Sequence, residues 1–427
     1  MRVKIDHIGA KGDGVAQGPD GPIYIPYAAA GDDVEIRLQG KQGRIKHIHG
    51  PSCDRIPPIC RHFGRCGGCS LQHISAQYYR RWKQQQVRTA LSHRGFEDIT
   101  ILEPHISPMG SRRRVRLAAA GRGGGIAVVG FSERASHNII DITECPVLSP
   151  EIMAFIEPLR KFLGQLLTRR QKMNIQINLT ENGLDIILEG RGEPDLDLRM
   201  DMAAFAEYQD IARICWQDMK LKKPYHEILC ERRKPYVVFA GRQVYLPPGS
   251  FLQATKAGEE ALINFVQTSL GDADRLVDIF AGCGTFTVAM IGDHGVHAVE
   301  GNGEMVTALL QSSRQMGKIR ALTTEVRNLF LRPLLPHELN GFDGLIIDPP
   351  RAGAQAQIQQ IVKSDIKKLV MISCNPASFA RDARLLVDGG FIMGDILPID
   401  QFLYSPHLEI AALFCLVGGT TVANAPT

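Results

Sequence analysis

The chain has 427 residues, 44% of them hydrophobic and 22% charged, with a formal net charge of +4. That length supports two to four domains at roughly 100–200 residues each. No run approaches the roughly 18 apolar residues a membrane span needs, and the start, Met1-Arg-Val-Lys-Ile-Asp-His7, lacks the apolar core of a signal peptide, so a cytoplasmic protein with no membrane partner is expected.

Residues 1–52 alternate short apolar runs with glycine turns. Val3–Ile8, Ile23–Tyr27, Val34–Leu38 and Arg44–His49 read as strands, and Gly12-Asp-Gly and Pro19-Asp-Gly-Pro read as turns. Short strands at this spacing predict a small OB-like β-barrel, an architecture that often binds oligonucleotides.

The next segment, 51–75, is loop-like and rich in cysteine. Ten cysteines in a chain of this kind are expected to serve metal binding or catalysis rather than disulfides. Cys60-x5-Cys66-Gly-Gly-Cys69 is a compact ligand cluster, and Cys145 in Glu144-Cys-Pro is placed to complete it. Four thiolates suit zinc or an iron–sulfur cluster, and spacing does not choose between them.

A helix is expected from about Ala76 to His93. Residues 51–120 carry twelve Lys/Arg against four Asp/Glu, a local balance of 12 − 4 = +8, and eleven of the twelve are Arg. Such a block is an electrostatic footprint for RNA or DNA. Arg112 to Arg116, with the barrel, is expected to carry that affinity. Mixed strands and helices fill the remainder of an α+β central domain over 53–240, among them two strands around the turn Glu181-Asn-Gly.

From 241 onward strands and helices alternate, which predicts a parallel sheet over 241–427. The strands begin at Arg275, Val296, Leu322, Gly344 and Lys368, with a late apolar one at Glu409. After the first comes Asp278-Ile-Phe280-Ala-Gly282-Cys-Gly284-Thr285. Glycines at a strand-to-helix turn let backbone approach a ligand closely. Glu300, 22 positions after Asp278, is placed to bind ribose hydroxyls. The third glycine of the dinucleotide fingerprint is missing (Thr287 stands there) and no phosphate-binding Gly-Lys-Ser/Thr occurs. A ligand with an adenosine and no pyrophosphate fits, and S-adenosylmethionine is one.

The strongest chemical signal lies beyond. Asp348-Pro-Pro-Arg351 and Ser373-Cys374-Asn-Pro376 end two successive strands. Uracil C5 is a poor nucleophile until a thiolate adds to C6, after which C5 can attack a sulfonium methyl. A base must then remove the C5 proton so that the thiol leaves. Cys374 supplies the nucleophile, Asp348 can hold the pyrimidine, and Glu409 at the start of the last strand is the candidate general base.

These residues resemble the bacterial RNA (uracil-5-)-methyltransferase family, and within it the 23S rRNA branch. The resemblance spans nearly the whole chain. Residues 1–50 look like its N-terminal TRAM barrel. Cys60-Arg-His-Phe-Gly-Arg-Cys66-Gly-Gly-Cys69-Ser-Leu-Gln-His73 is similar to its cluster signature, with Cys145 at the distant fourth ligand, and this implies a [4Fe–4S] cluster. Pro248-Gly-Ser-Phe251-Leu-Gln253 resembles its Phe-x-Gln motif and implies that Gln253 touches cofactor or substrate.

By the same resemblance Phe280, Glu300 and Asp348 bind the methyl donor or target uridine. Cys374 is the nucleophile and Glu409 the base. Thr285 replaces an Asn of some members and Thr255 another. Asn328 is compatible with binding the adenine amine. The expected fold is a Rossmann-like class I methyltransferase domain behind the barrel and central domain, acting as a monomer. The tRNA branch usually lacks barrel and cluster, so 23S rRNA is the expected partner. A methyltransferase of the same fold acting on tRNA or another RNA, and a non-catalytic RNA-binding assembly factor, are the alternatives.

Overall fold

Three large sheets and one hairpin organise the computed structural model, which describes residues 1–221, 225–317 and 320–416. The first sheet has six strands within residues 2–50. Its opening strand breaks at Ile5-Asp6. Arg2–Lys4 pairs antiparallel with Asp33–Gln39, and His7–Ile8 pairs with Gly14–Gly18. Bonds of 2.8 Å from Ile5 N to Asp32 O and from Asp6 N to Val15 O carry the pairing across the break. One strand thus serves both ends of the sheet, which closes it into a barrel and removes its edges. Val3, Ile5, Ile23, Ile25, Val34 and Ile36 fill the interior.

The central sheet has seven strands between Arg114 and Glu231, antiparallel except where Gly183–Gly190 runs beside Arg213–Asp218. The helix Pro150–Leu166 lays Ile152, Phe155, Ile156, Leu159 and Leu163 on its core. That spacing of three and four is one helix face. Ser149 starts the helix by accepting from Ile152 N.

The third sheet carries the chemistry. Its strands, numbered within it, are β1 (Arg275–Ile279), β2 (Gly295–Glu300), β3 (Leu322–Val326), β4 (Gly344–Ile347), β5 (Lys368–Ser373), β6 (Phe391–Asp400) and β7 (Glu409–Leu416). Their order is β3-β2-β1-β4-β5-β7-β6, with β1 to β5 parallel and β7 antiparallel to both neighbours. The parallel strands at the centre, such as Gly344–Ile347, are buried throughout, as strands covered on both faces must be. This is the Rossmann-like arrangement expected from the sequence.

An eighth strand, His105–Ile106, joins the far edge beside β6. The helix Ala76–Ser92 also packs here: Val87 and Leu91, with Phe96 and Ile101, share an apolar core with Leu345, Phe379 and Leu386. Ser75 caps that helix, its hydroxyl accepting from Tyr78 N. Among the described residues no helix is long and apolar enough to cross a membrane.

Candidate active site

Chain direction brings the site together. The C-terminal ends of β1, β2, β4 and β5 lie on one edge of the sheet, where ligands collect in such folds. Because β7 runs the other way, its first residue returns to that same edge. Ser373 pairs with Ile410, so one step further along each strand Cys374 comes opposite Glu409.

The turn after β1 is built for close approach. Gly282 and Gly284 have φ of 57° and 91°. A Cβ on Gly284 would come within 2.6 Å of Leu309, whereas one on Gly282 would meet nothing within 4 Å, so space opens above Gly282. Phe280 is held at φ 61° without being glycine. Such strain costs about 1–3 kcal/mol and clusters at ligand sites. Its ring tilts against Phe330 with centroids 5.3 Å apart.

Glu300 accepts from Gly282 N and Asn302 N, both at 2.9 Å. Thr285 opens the helix that follows the turn. Asn328 accepts from Phe330 N at 3.0 Å, which engages its amide oxygen within its own turn. Beneath the turn Asp278 is fully buried. One carboxylate oxygen accepts from Thr287, and the other has no partner among the described residues. Burial lifts its pKa to about 7, with Thr287 pulling it back. An open glycine turn, an acid beside it and an orphaned buried oxygen fit an adenosine-bearing methyl donor.

Two carboxyls and a thiol lie together at this edge. Glu409 is only 4% exposed. Burial and then the neighbouring Asp348 push its pKa up to about 8, against Arg114. Burial raises Asp348 to about 7. The Cys374 thiol is raised to about 11 by burial, then Glu409 and Asp348, with Arg351 opposing. Both Cys374 and Glu409 are thus pushed towards their protonated forms. Gln253 bridges the constellation: its amide nitrogen donates to Asp348 at 3.4 Å, and its oxygen accepts from Gln401 at 2.8 Å.

Arg114 comes from the central sheet. Its guanidinium lies over Phe251 at 4.2 Å. Burial and Arg112 lower its pKa to about 10, while Glu409 and Cys374 act the other way. Sequence reasoning grouped it with Arg113, but the structure separates them. Arg113 is buried, 2.5 Å from Glu259, and donates to Gln253 O. Its guanidinium is thus paired inside the fold.

Other members of the basic block are also neutralised by distant acids: Arg55 by Asp32, Arg61 by Glu144, Lys83 by Asp400 and Arg116 by Glu189. Counting charge along the chain overstated the cationic surface because these partners lie outside residues 51–120.

A cleft of about 1120 Å³ leads away from Cys374. The barrel turn His7–Lys11 forms one wall, and the helix Ala76–Ser92 with its following turn forms another. Lys11, Arg81, Arg94 and Arg351 line it, with no Asp or Glu among its described residues.

Cys60, Cys66, Cys69 and Cys145, from segments 76 residues apart, line one separate cavity of about 330 Å³. Gly68 N donates to the Cys66 sulfur at 3.4 Å. Burial raises the Cys69 thiol to about 12 and moves Cys60 and Cys66 the same way. Among the described residues no group of three His, Cys, Asp or Glu is arranged to hold a metal ion. The expected four-cysteine metal site is thus seen as a shared cavity and not as a preformed ion site.

A family model described as tRNA (Uracil-5-)-methyltransferase matches residues 323–416, which include Asp348, Cys374 and Glu409. An uncharacterized RNA methyltransferase of Mesorhizobium japonicum is 39% identical across 96% of this chain and 97% of its own. A 23S rRNA (uracil(1939)-C(5))-methyltransferase of Halomonas elongata is 30% identical across 93% of this chain and 86% of its own. The chain belongs to the RNA (uracil-5-)-methyltransferase family.

This uracil-5-methyltransferase shares its fold with the tRNA (uracil-54, C5)-methyltransferase of Pyrococcus abyssi, at a TM-score of 0.76 and 22% identity over 97% of this chain and 99% of that one. Membership makes it an S-adenosylmethionine-dependent enzyme. Sequence reasoning did not reach Gln401 or the setting of Arg114. Gln401 meets Gln253 across 148 residues, and nothing local to either announces the pairing.

Proposed function

We propose that this methyltransferase acts on C5 of a uridine in 23S rRNA through a covalent Cys374 adduct at C6. The single observation that carries the reading is that antiparallel β5 and β7 bring Cys374 and Glu409 to the same edge of the sheet, where Cys374 lines the acid-free cleft. Bound S-adenosylmethionine supplies an electrophilic methyl; Phe280, Thr285, Glu300 and Asn328, around the glycine turn and the adjoining strand ends, are proposed to hold it. Asp348 and Gln253 present hydrogen-bonding groups to the uracil edge. Cys374 bonds to C6, and Glu409 then removes the C5 proton so that the carbon–sulfur bond can break. The 23S assignment rests on the Halomonas relative and on the barrel and cysteine cavity, read as the TRAM and cluster modules of that branch.

Mass spectrometry of rRNA and tRNA from cells lacking the protein tests it. One 5-methyluridine should vanish from 23S rRNA. Loss from tRNA instead would move the substrate, and loss from neither would overturn the reading.

The cleft is proposed as the path of a single RNA strand. Each phosphate contact to a single strand contributes about −0.7 to the slope of log affinity against log salt. Replacing Lys11, Arg81 and Arg94 with Ala should flatten that slope by about 2 while methyl-donor affinity stays within twofold. An unchanged slope would remove the cleft from RNA binding.

The cysteine cavity is proposed to hold a [4Fe–4S] cluster. A single zinc ion draws its thiolates to one point at about 2.3 Å each, whereas a cluster takes them at the corners of a larger cage. Four cysteines lining one cavity, at spacings that resemble the family's cluster signature, support the cluster reading. Protein purified without oxygen should be brown and carry about four irons per chain. Stoichiometric zinc without iron, after anaerobic reconstitution, would contradict it.

A further inference from the structure

The side chain of Lys83 is fully buried, and all three of its ammonium protons find acceptors. Nζ donates to Asp400 Oδ1 at 3.2 Å, Ser405 O at 2.9 Å and His407 O at 2.5 Å. Asp400 ends β6 and Glu409 begins β7, so residues 401–408 form the hairpin loop between them. One side chain from the helix Ala76–Ser92 therefore fastens both ends of that loop.

Its neighbours tighten the same joint. Asp400 accepts from Tyr79 OH at 2.5 Å and from Phe402 N at 3.0 Å, and Tyr404 N donates to the Tyr79 oxygen at 2.9 Å. A buried ammonium with this many partners is costly to remove and of little net value to stability. What it fixes is therefore the more informative question.

The loop reaches both carboxylates of the reaction centre. At its end, His407 precedes Glu409 by two residues. At its start, Gln401 donates to Gln253, which donates to Asp348. We infer that Lys83 is a positioning residue for the methylation: it locks the 401–408 hairpin so that Glu409 and, through Gln401 and Gln253, Asp348 face Cys374. The inference rests on the covalent reading above and extends it to a residue 317 positions from its partner Asp400. The helix bearing Lys83 also lines the cleft with Arg81 and Gln85, so the surface proposed for RNA and the mount of the base are one rigid element.

The experiment begins with wild-type enzyme on RNA bearing the target uridine. If neither 5-methyluridine nor an adduct with 5-fluorouridine RNA forms, the proposed function fails and not this inference. With wild-type activity established, Lys83→Met is paired with the double variant Lys83→Met/Asp400→Asn. Removing one partner alone leaves Asp400 buried and unpaired, so the single variant should melt markedly lower. The double variant removes the stranded charge and should recover most of the melting temperature.

Turnover should not recover. A misplacement of about 1 Å costs on the order of 10²-fold, so the double variant is expected to run about a hundredfold slow. Its RNA KM and methyl-donor affinity should stay within threefold, and a methylated covalent RNA complex should accumulate. Tyr79→Phe, which deletes one hydroxyl, should slow the same release step several-fold, and it decides the matter should the Lys83 variants not fold. Wild-type turnover in a folded double variant or in Tyr79→Phe would overturn the inference. So would a loss matched by an equal loss of methyl-donor affinity.

Discussion

Cys374→Ala should abolish both turnover and the covalent complex with RNA carrying 5-fluorouridine. Fluorine at C5 does not leave as a proton does, so once sulfur has added to C6 and the methyl has arrived, the adduct is trapped. A denaturing gel with labelled RNA reads it directly. Deleting a nucleophile from an assembled site typically costs on the order of 10⁴-fold or more. The environment adds a pH signature. Burial, Glu409 and Asp348 hold the thiol up at about 11, with Arg351 and a backbone hydrogen bond opposing. The thiolate fraction therefore rises with pH across the working range, and adduct formation should accelerate from pH 6 to 8. Arg351, in the cleft beside the thiol, keeps the shift from going further. A stable adduct from the Ala variant, or formation that slows as pH rises, would remove Cys374 as nucleophile.

What the sequence conveyed and what it withheld follow from distance along the chain. Cys374, Asp348 and the Gly282–Gly284 turn each sit beside a strand end, and a strand end is a local signal of apolar run and turn residue. The helix over Ala76–Ser92 was legible for the same reason, since its buried positions repeat every three or four residues. Cys374 and Glu409 were named together from their chemistry and the family resemblance, but that they reach one edge depends on β7 running antiparallel, which is not a local signal. The arginine block failed as a charge count because Arg113 finds Glu259 across 146 residues and Arg116 finds Glu189 across 73. Lys83 was the least legible of all. A lysine on a helix among arginines reads as a solvated cation, and only the fold shows it fully enclosed. The barrel closure was hidden by the break at Ile5-Asp6, which divides one apparent strand between two partners.

Glu409→Gln should separate methyl transfer from product release. Loss of a general base costs roughly 10²–10⁴-fold. Here the loss falls on C5 deprotonation, after the methyl is in place, so methylated RNA should remain bonded to Cys374. Burial, then Asp348, holds the Glu409 pKa up at about 8, with Arg114 opposing. The wild-type release step should therefore gain speed with pH up to about 8, and the Gln variant should lose that dependence. Stability moves in the opposite sense. A carboxyl whose folded pKa lies above its ordinary 4.5 contributes stability that is fully present below that value and is lost as pH rises through about 8. Glutamine resembles the protonated acid and never ionises. The variant should melt with the wild type near pH 4.5 and above it at pH 8.5, while its turnover falls. Calorimetry across that range, beside a mass measurement of the trapped complex, checks both halves. Wild-type turnover, or a trapped complex lacking the methyl group, would take the general-base role from Glu409. A melting difference that shrinks with pH would show that this carboxyl is not held protonated by its surroundings.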